Sequence, residues 1–138
     1  MKWTRFVVAL AWATLASGCA KEAELSGVAV SSADLELVAL GEDAFGRCSG
    51  CHSIGEGEPS RAGSNLFDVI GRRAGSLPGF DYTDALAESA IVWTTETLDA
   101  YLADPEGTVP GTEMQAGTVR DAEQRKAIIA YLGTLTAD

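Results

Sequence analysis

Two thiols and an imidazole stand within five residues of one another in the run Cys48-Ser49-Gly50-Cys51-His52. Two cysteines separated by two residues, with a histidine directly after, form the C-x-x-C-H pattern of covalent haem attachment. Each thiol adds to a vinyl group of the porphyrin. The two-residue spacing lets both sulfurs reach one edge of the ring, and the adjacent His52 then sits under the iron. A bare C-x-x-C also serves as a redox dithiol or as half of a zinc site. Zinc would need a fourth ligand, and Cys19 is the one cysteine left over. A thioredoxin-like dithiol would need a βαβ setting, for which the sequence gives no sign.

The composition narrows the second axial ligand. His52 is the only histidine, so two histidines from one chain cannot share the iron. Besides the initiator, Met114 is the only methionine. A lone Met ordinarily fills a gap in a core. Here it follows Pro110-Gly111-Thr112-Glu113, an irregular segment able to lay a thioether against the open face of a haem. Ligation by His and Met raises the reduction potential, because the soft thioether favours ferrous iron. It also closes the sixth position to oxygen and substrates. Such an iron suits electron transfer rather than catalysis.

These groups must be positioned by a folded domain, and the composition allows one. The chain has 138 residues, 46% of them hydrophobic and 7% aromatic, as expected of one compact domain with a short extension. Its formal net charge is −10, and the sequence pI is about 4.4. Such a surface is a poor match for nucleic acid, which is bound by clustered Lys and Arg. It favours a basic partner and salt-dependent encounter.

Residues 1–18 do not read as part of that domain. Lys2 and Arg5 precede the short apolar run from Phe6 to Ala16, and small residues follow, which is the layout of an export signal. The run is shorter than the roughly 20 residues of a membrane-spanning helix. Leu15-Ala16-Ser17-Gly18-Cys19 resembles the cleavage box of bacterial lipoproteins, in which the Cys becomes the acylated first residue of the mature chain. Ala16 departs from the Leu more common three places before that Cys. Lipidation of Cys19 accounts for an odd cysteine in an exported chain; ordinary cleavage after Ala20 is the rival. Residues 19–36 read as a tether, with a coil span of roughly 20–25 Å and a stretched length of roughly 55 Å. Loss of the signal takes the formal charge from −10 to −12.

The haem domain, residues 37–138, reads as all-α. Leu37, Leu40, Ala44, Phe45 and Cys48 recur at helical spacing, so one face of a first helix ends at the cysteines. A short helix is expected over residues 82–89, after the turn at Pro78-Gly79. A third has Thr94 as N-cap, Glu96 in the first turn and Trp93 stapled over Leu98; Tyr101 and Leu102 face inward and Pro105 ends it. The last opens at Thr118, with Asp121 completing a capping box, and continues through Arg125, Ile128, Ile129, Tyr131, Leu132 and Leu135. No alternating run predicts a strand.

From about Gly41 to Leu132 the chain resembles the class I cytochromes c, the mitochondrial group and its bacterial relatives. Beyond the haem motif, the likeness rests on Gly63-Ser64-Asn65-Leu66, Gly71-Arg72, Gly75, Gly79-Phe80-Asp81-Tyr82, Trp93, Leu98, Tyr101-Leu102, Pro105, Pro110-Gly111-Thr112 and Tyr131-Leu132, in the family's order. The resemblance implies a fold of several short helices around one covalent haem c, with the first and last helices crossing over its attachment edge. It assigns Tyr82, Trp93 and Arg72 to the inner propionate. Tyr101 and Thr112 fall beside Met114, and Leu66, Leu102 and Ile128 line the haem crevice.

Three departures stand out. Ser64 occupies the place of a Pro whose carbonyl accepts the proximal His proton; a carbonyl remains, but rigidity is lost. Gln115-Ala116-Gly117 lacks the Phe that shields the haem edge. Glu106, Gly107 and Glu113 replace lysines of the family's basic collar. The function implied is one-electron transfer, not enzymatic turnover, by a periplasmic protein tethered to the membrane through Cys19 or soluble. Its partners would be a quinol–cytochrome c reductase and a cytochrome c oxidase or photosynthetic reaction centre, carrying basic docking patches. A fixed subunit of a larger oxidoreductase, and a haem peroxidase formed if Met114 leaves the iron, are the other readings.

Overall fold

The computed structural model describes residues 31–137. The expected signal, Cys19 and residues 19–30 of the expected tether lie outside them.

The first helix, α1 (Ser32–Phe45), starts earlier than the apolar spacing implies, so residues 32–36 are helix and not tether. Its start is set by polar groups. The Ser31 hydroxyl accepts from the Asp34 amide, and the Asp34 carboxylate accepts from the Ser31 amide, which satisfies helix-end donors that would otherwise be orphaned. Gly41 and Phe45 are the buried residues of α1. Leu40, expected to face inward, is 56% exposed. Adjacent helix positions lie about 100° apart, and the contact runs along Gly41, which leaves Leu40 on the flank.

The main helix partner of α1 is α5 (Ala122–Leu132). A side chain at Gly41 would run into the Ala127 carbonyl, so the absent Cβ lets the two backbones approach. Phe45 packs on Tyr131, ring centroids 5.6 Å apart. The N-cap of α5 is Asp121, which accepts from the Gln124 amide at 2.8 Å. The expected start at Thr118 is therefore corrected: that hydroxyl bonds back to the Gln115 carbonyl and closes a 3₁₀ turn, Gln115–Gly117. Leu135 lies beyond the helix but still packs on the core.

Between these two helices run three short ones. Thr83 caps α2 (Asp84–Ala87). Thr94 caps α3 (Thr95–Ala103) as expected, with Thr97 as its reciprocal partner. Pro105 follows α3 but also opens α4 (Pro105–Thr108), where Asp104 caps and the missing Pro amide would have had no helical acceptor. Among the described residues there is no named strand, only an isolated bridge between Arg73 and Val92. The core gathers Phe45, Val69, Trp93, Leu98, Tyr101, Leu102, Ile128 and Leu132.

Candidate functional site

The haem motif winds off the end of α1. Cys48 N–H donates to Phe45 O at 2.7 Å, and the amides of Cys51 and His52 both donate to Cys48 O at 3.0 Å. These turns bring the two cysteines and the histidine onto one short arc. Both cysteines are free thiols; Cys51 is exposed, and Cys48 is half-buried against the core. Burial pushes the Cys48 thiol up, with Arg47 opposing.

His52 Nδ1 lies 2.7 Å from the Ser64 carbonyl. A carbonyl only accepts, so Nδ1 carries the proton and Nε2 keeps its lone pair, the form required of an iron ligand. Burial holds the imidazole pKa below its usual value, against the raising effect of the Ser64 bond, which keeps the ring neutral. The replacement of proline by serine therefore preserves the acceptor. Gly63 lies flat against the ring: a Cβ there would stand 2.7 Å from both ring nitrogens.

A second chain of contacts runs to Met114. Arg72 is half-buried and donates to Phe67 O at 3.1 Å and Asn65 O at 2.8 Å. Burial lowers its pKa, while Tyr82 and Asp68 raise it. Tyr82, half-buried, meets the Phe80 ring edge-on at 4.7 Å. The main-chain N–H of Trp93 donates to Arg72 O, and the Trp93 and Tyr101 rings lie 4.9 Å apart. The Tyr101 and Thr112 hydroxyls meet at 2.5 Å in the core. Burial pushes the Tyr101 phenol up, against the Thr112 bond, so it stays protonated. Thr112 Oγ1 then accepts a long bond, 3.4 Å, from the Met114 amide. Met114 and Leu66 are partly buried against the same core.

These residues fit a haem. His52 presents a free Nε2, the thiols are reduced, and Arg72 has no carboxylate within ion-pair distance among the described residues, whose one ion pair is Arg125–Asp99.

The sequence profile of the Cytochrome c family matches residues 38–136. The chain belongs to the cytochrome c family. It is 38% identical over 109 residues to cytochrome c2 of Blastochloris viridis, covering 79% of this chain and 86% of that protein. It is 42% identical over 86 residues to cytochrome c of Stellaria longipes, covering 62% and 80%. The solved structure of cytochrome cH from Methylobacterium extorquens superposes with a TM-score of 0.66 at 39% identity, covering 70% of this chain and 97% of that one. As a cytochrome c, the chain carries one covalently attached haem c, with Cys48 and Cys51 in its attachment motif, and it is an electron carrier and not an enzyme.

Sequence reasoning gave no role to Asn65 or to the Asp99–Arg125 pair. Asn65 is 6% exposed, and its side-chain amide bonds only backbone groups. Arg125 Nε donates to Asp99 Oδ1 at 2.7 Å, and Nη1 donates to the carbonyls of Val119 and Arg120, each at 3.0 Å. It thus ties the segment after Met114 to α3 and α5. Neither arrangement leaves a periodic trace in the sequence.

Proposed function

We propose that this cytochrome c shuttles single electrons outside the cytoplasmic membrane, with His52 and Met114 as axial ligands and the haem joined to Cys48 and Cys51. The observation that carries the reading is the 2.7 Å bond between His52 Nδ1 and the Ser64 carbonyl, which orients a neutral imidazole with Nε2 free. In this reading Arg72, Tyr82 and Trp93 hold a propionate, Tyr101 and Thr112 steady the thioether, and Leu66 keeps the crevice apolar. When bound, the haem supplies the one-electron couple; the protein excludes water and fixes the ligands.

The donor is a quinol–cytochrome c reductase, and the acceptor a cytochrome c oxidase or photosynthetic reaction centre, each with a basic docking patch. Charge supports that choice. Between Arg73 and Arg120 there is no Lys or Arg but eight carboxylates, Glu106 and Glu113 among them. The export signal and the lipobox-like run before Cys19 support a mature protein tethered by lipid on the periplasmic side. Two or more acyl chains anchor stably, whereas one binds marginally.

The test is purification from membranes in mild detergent. We expect one acid-acetone-resistant haem per chain, a Met–iron charge-transfer band, negligible peroxidase turnover, and a mature N-terminus at an acylated Cys19. Cys19→Ser should release the protein or block its maturation. An unmodified N-terminus with all protein in the soluble periplasmic fraction would sink the tether and leave a soluble shuttle. A stoichiometric complex that survives purification would replace the shuttle with a fixed subunit.

A further inference from the structure

Resting on the assignment of His52 as an axial ligand, we infer that Ser60 and Asn65 are positioning residues that set the strength of the iron–imidazole bond through one peptide plane. The carbonyl that accepts from His52 belongs to Ser64. The N–H of that same peptide unit is the Asn65 amide, which donates to Ser60 Oγ at 3.0 Å. A peptide unit is planar, so fixing its N–H direction fixes its C=O direction. Ser60 on one edge and His52 on the other thus hold the plane.

The Asn65 side chain holds the α-carbon at the end of that plane. Its Nδ2 donates to Gly55 O at 2.9 Å and to Glu58 O at 2.8 Å, and its Oδ1 accepts from Phe67 N–H at 2.7 Å. With those three bonds the buried amide uses both N–H groups and one of its two acceptor sites. On the other side, Gly63 N–H donates to Cys51 O at 2.8 Å, which ties the segment to the haem motif itself. A serine at position 64 leaves φ free, whereas a proline would fix it. Here the restraint comes from the side chains of the neighbouring loop.

The consequence is electronic. A firmly held acceptor on Nδ1–H raises the basicity of the imidazole. A more basic axial ligand stabilises ferric iron and lowers the potential. Loosening the plane should therefore raise the potential without touching a ligand.

The experiment compares Ser60→Ala, Asn65→Ala and a control, Ser53→Ala, in the holoprotein. Ser53 Oγ donates to Pro59 O in the same loop, and not to the Ser64–Asn65 peptide. The readouts are the midpoint potential and the exchange rate of the axial imidazole N–H by NMR. Both Ser60→Ala and Asn65→Ala should raise the potential and speed exchange several-fold, Asn65→Ala more, because it removes three hydrogen bonds where Ser60→Ala removes one. Ser53→Ala should lower stability and leave both readouts in place. If Asn65→Ala fails to fold, Ser60→Ala carries the test alone. Wild-type potential and exchange in the variants that fold, with only their unfolding midpoints lowered, would overturn the inference. Absence of axial-imidazole signals in the unmodified protein would instead overturn the ligation assignment, and this inference with it.

Discussion

The two sides of the haem site are held in opposite ways. On the His52 side, contacts converge on the imidazole: Ser64 on its Nδ1, Gly63 against its ring, and Asn65 stitched to three backbone groups. On the Met114 side, the chain is fastened to the rest of the domain at its ends, and the hydrogen bonds between them are local, closing a 3₁₀ turn. Thr112 is buried and bonded to Tyr101; Val119 is buried, with its N–H on Leu102 O and its carbonyl on Arg125. Glu113, Gln115 and Ala116 in between are exposed. The charge differs too. The segment from Arg47 to Arg73 has four arginines against Glu56, Glu58 and Asp68, while residues 74–119 have no base at all. One side clamps the imidazole of His52; the other is a strap that carries Met114 and an acidic surface.

Four perturbations test that contrast. The largest effect belongs to the attachment arc: Cys48→Ala or Cys51→Ala should abolish stable haem attachment, read as pigment extracted by acid-acetone. Next, Met114→Ala should remove the Met–iron band, lower the potential and open the iron to cyanide, while the haem stays covalently bound. Retention of wild-type potential and ligand affinity would show that Met114 is not the ligand. Third, Gly63→Ala should cost about 1–3 kcal/mol in denaturant unfolding, because the added methyl overpacks against the imidazole. A neutral result would mean the ring is not clamped. Smallest, Glu106→Gln with Glu113→Gln should slow bimolecular electron transfer to a basic partner a few-fold at low salt and leave it unchanged at high salt. The same loss from Glu56→Gln on the His side would erase the charge contrast.

The parts legible in the sequence are those whose signals are local. The haem motif is one run of five residues, and Thr94 with Trp93 and Leu98 marks α3 by cap and staple. The sequence is ambiguous where two local signals compete. At Pro105 the helix-ending reading hid a helix start, since proline suits both the residue after one helix and the first of another. Thr118 and Asp121 are both capping residues, and only the long-range anchoring of Val119 on Leu102 decides between them. At Ser31 a capping box was present but lay upstream of the apolar spacing. Asn65 was illegible for another reason: the Gly55 and Glu58 carbonyls it bonds are main-chain groups, which any residue supplies.

The close passage of Gly41 over Ala127 bears on the order in which the molecule is made. The first helix has its main helical partner in the last one, so the contact that closes the fold joins segments nearly the whole domain apart in sequence. Loop-closure entropy grows only logarithmically with separation, so the pairing is affordable once both ends exist. It cannot form while the C-terminal helix is still unmade. Until then the arc of Cys48 and Cys51 lies on an open chain, and the thiols can meet the porphyrin before the crevice that will bury it has closed.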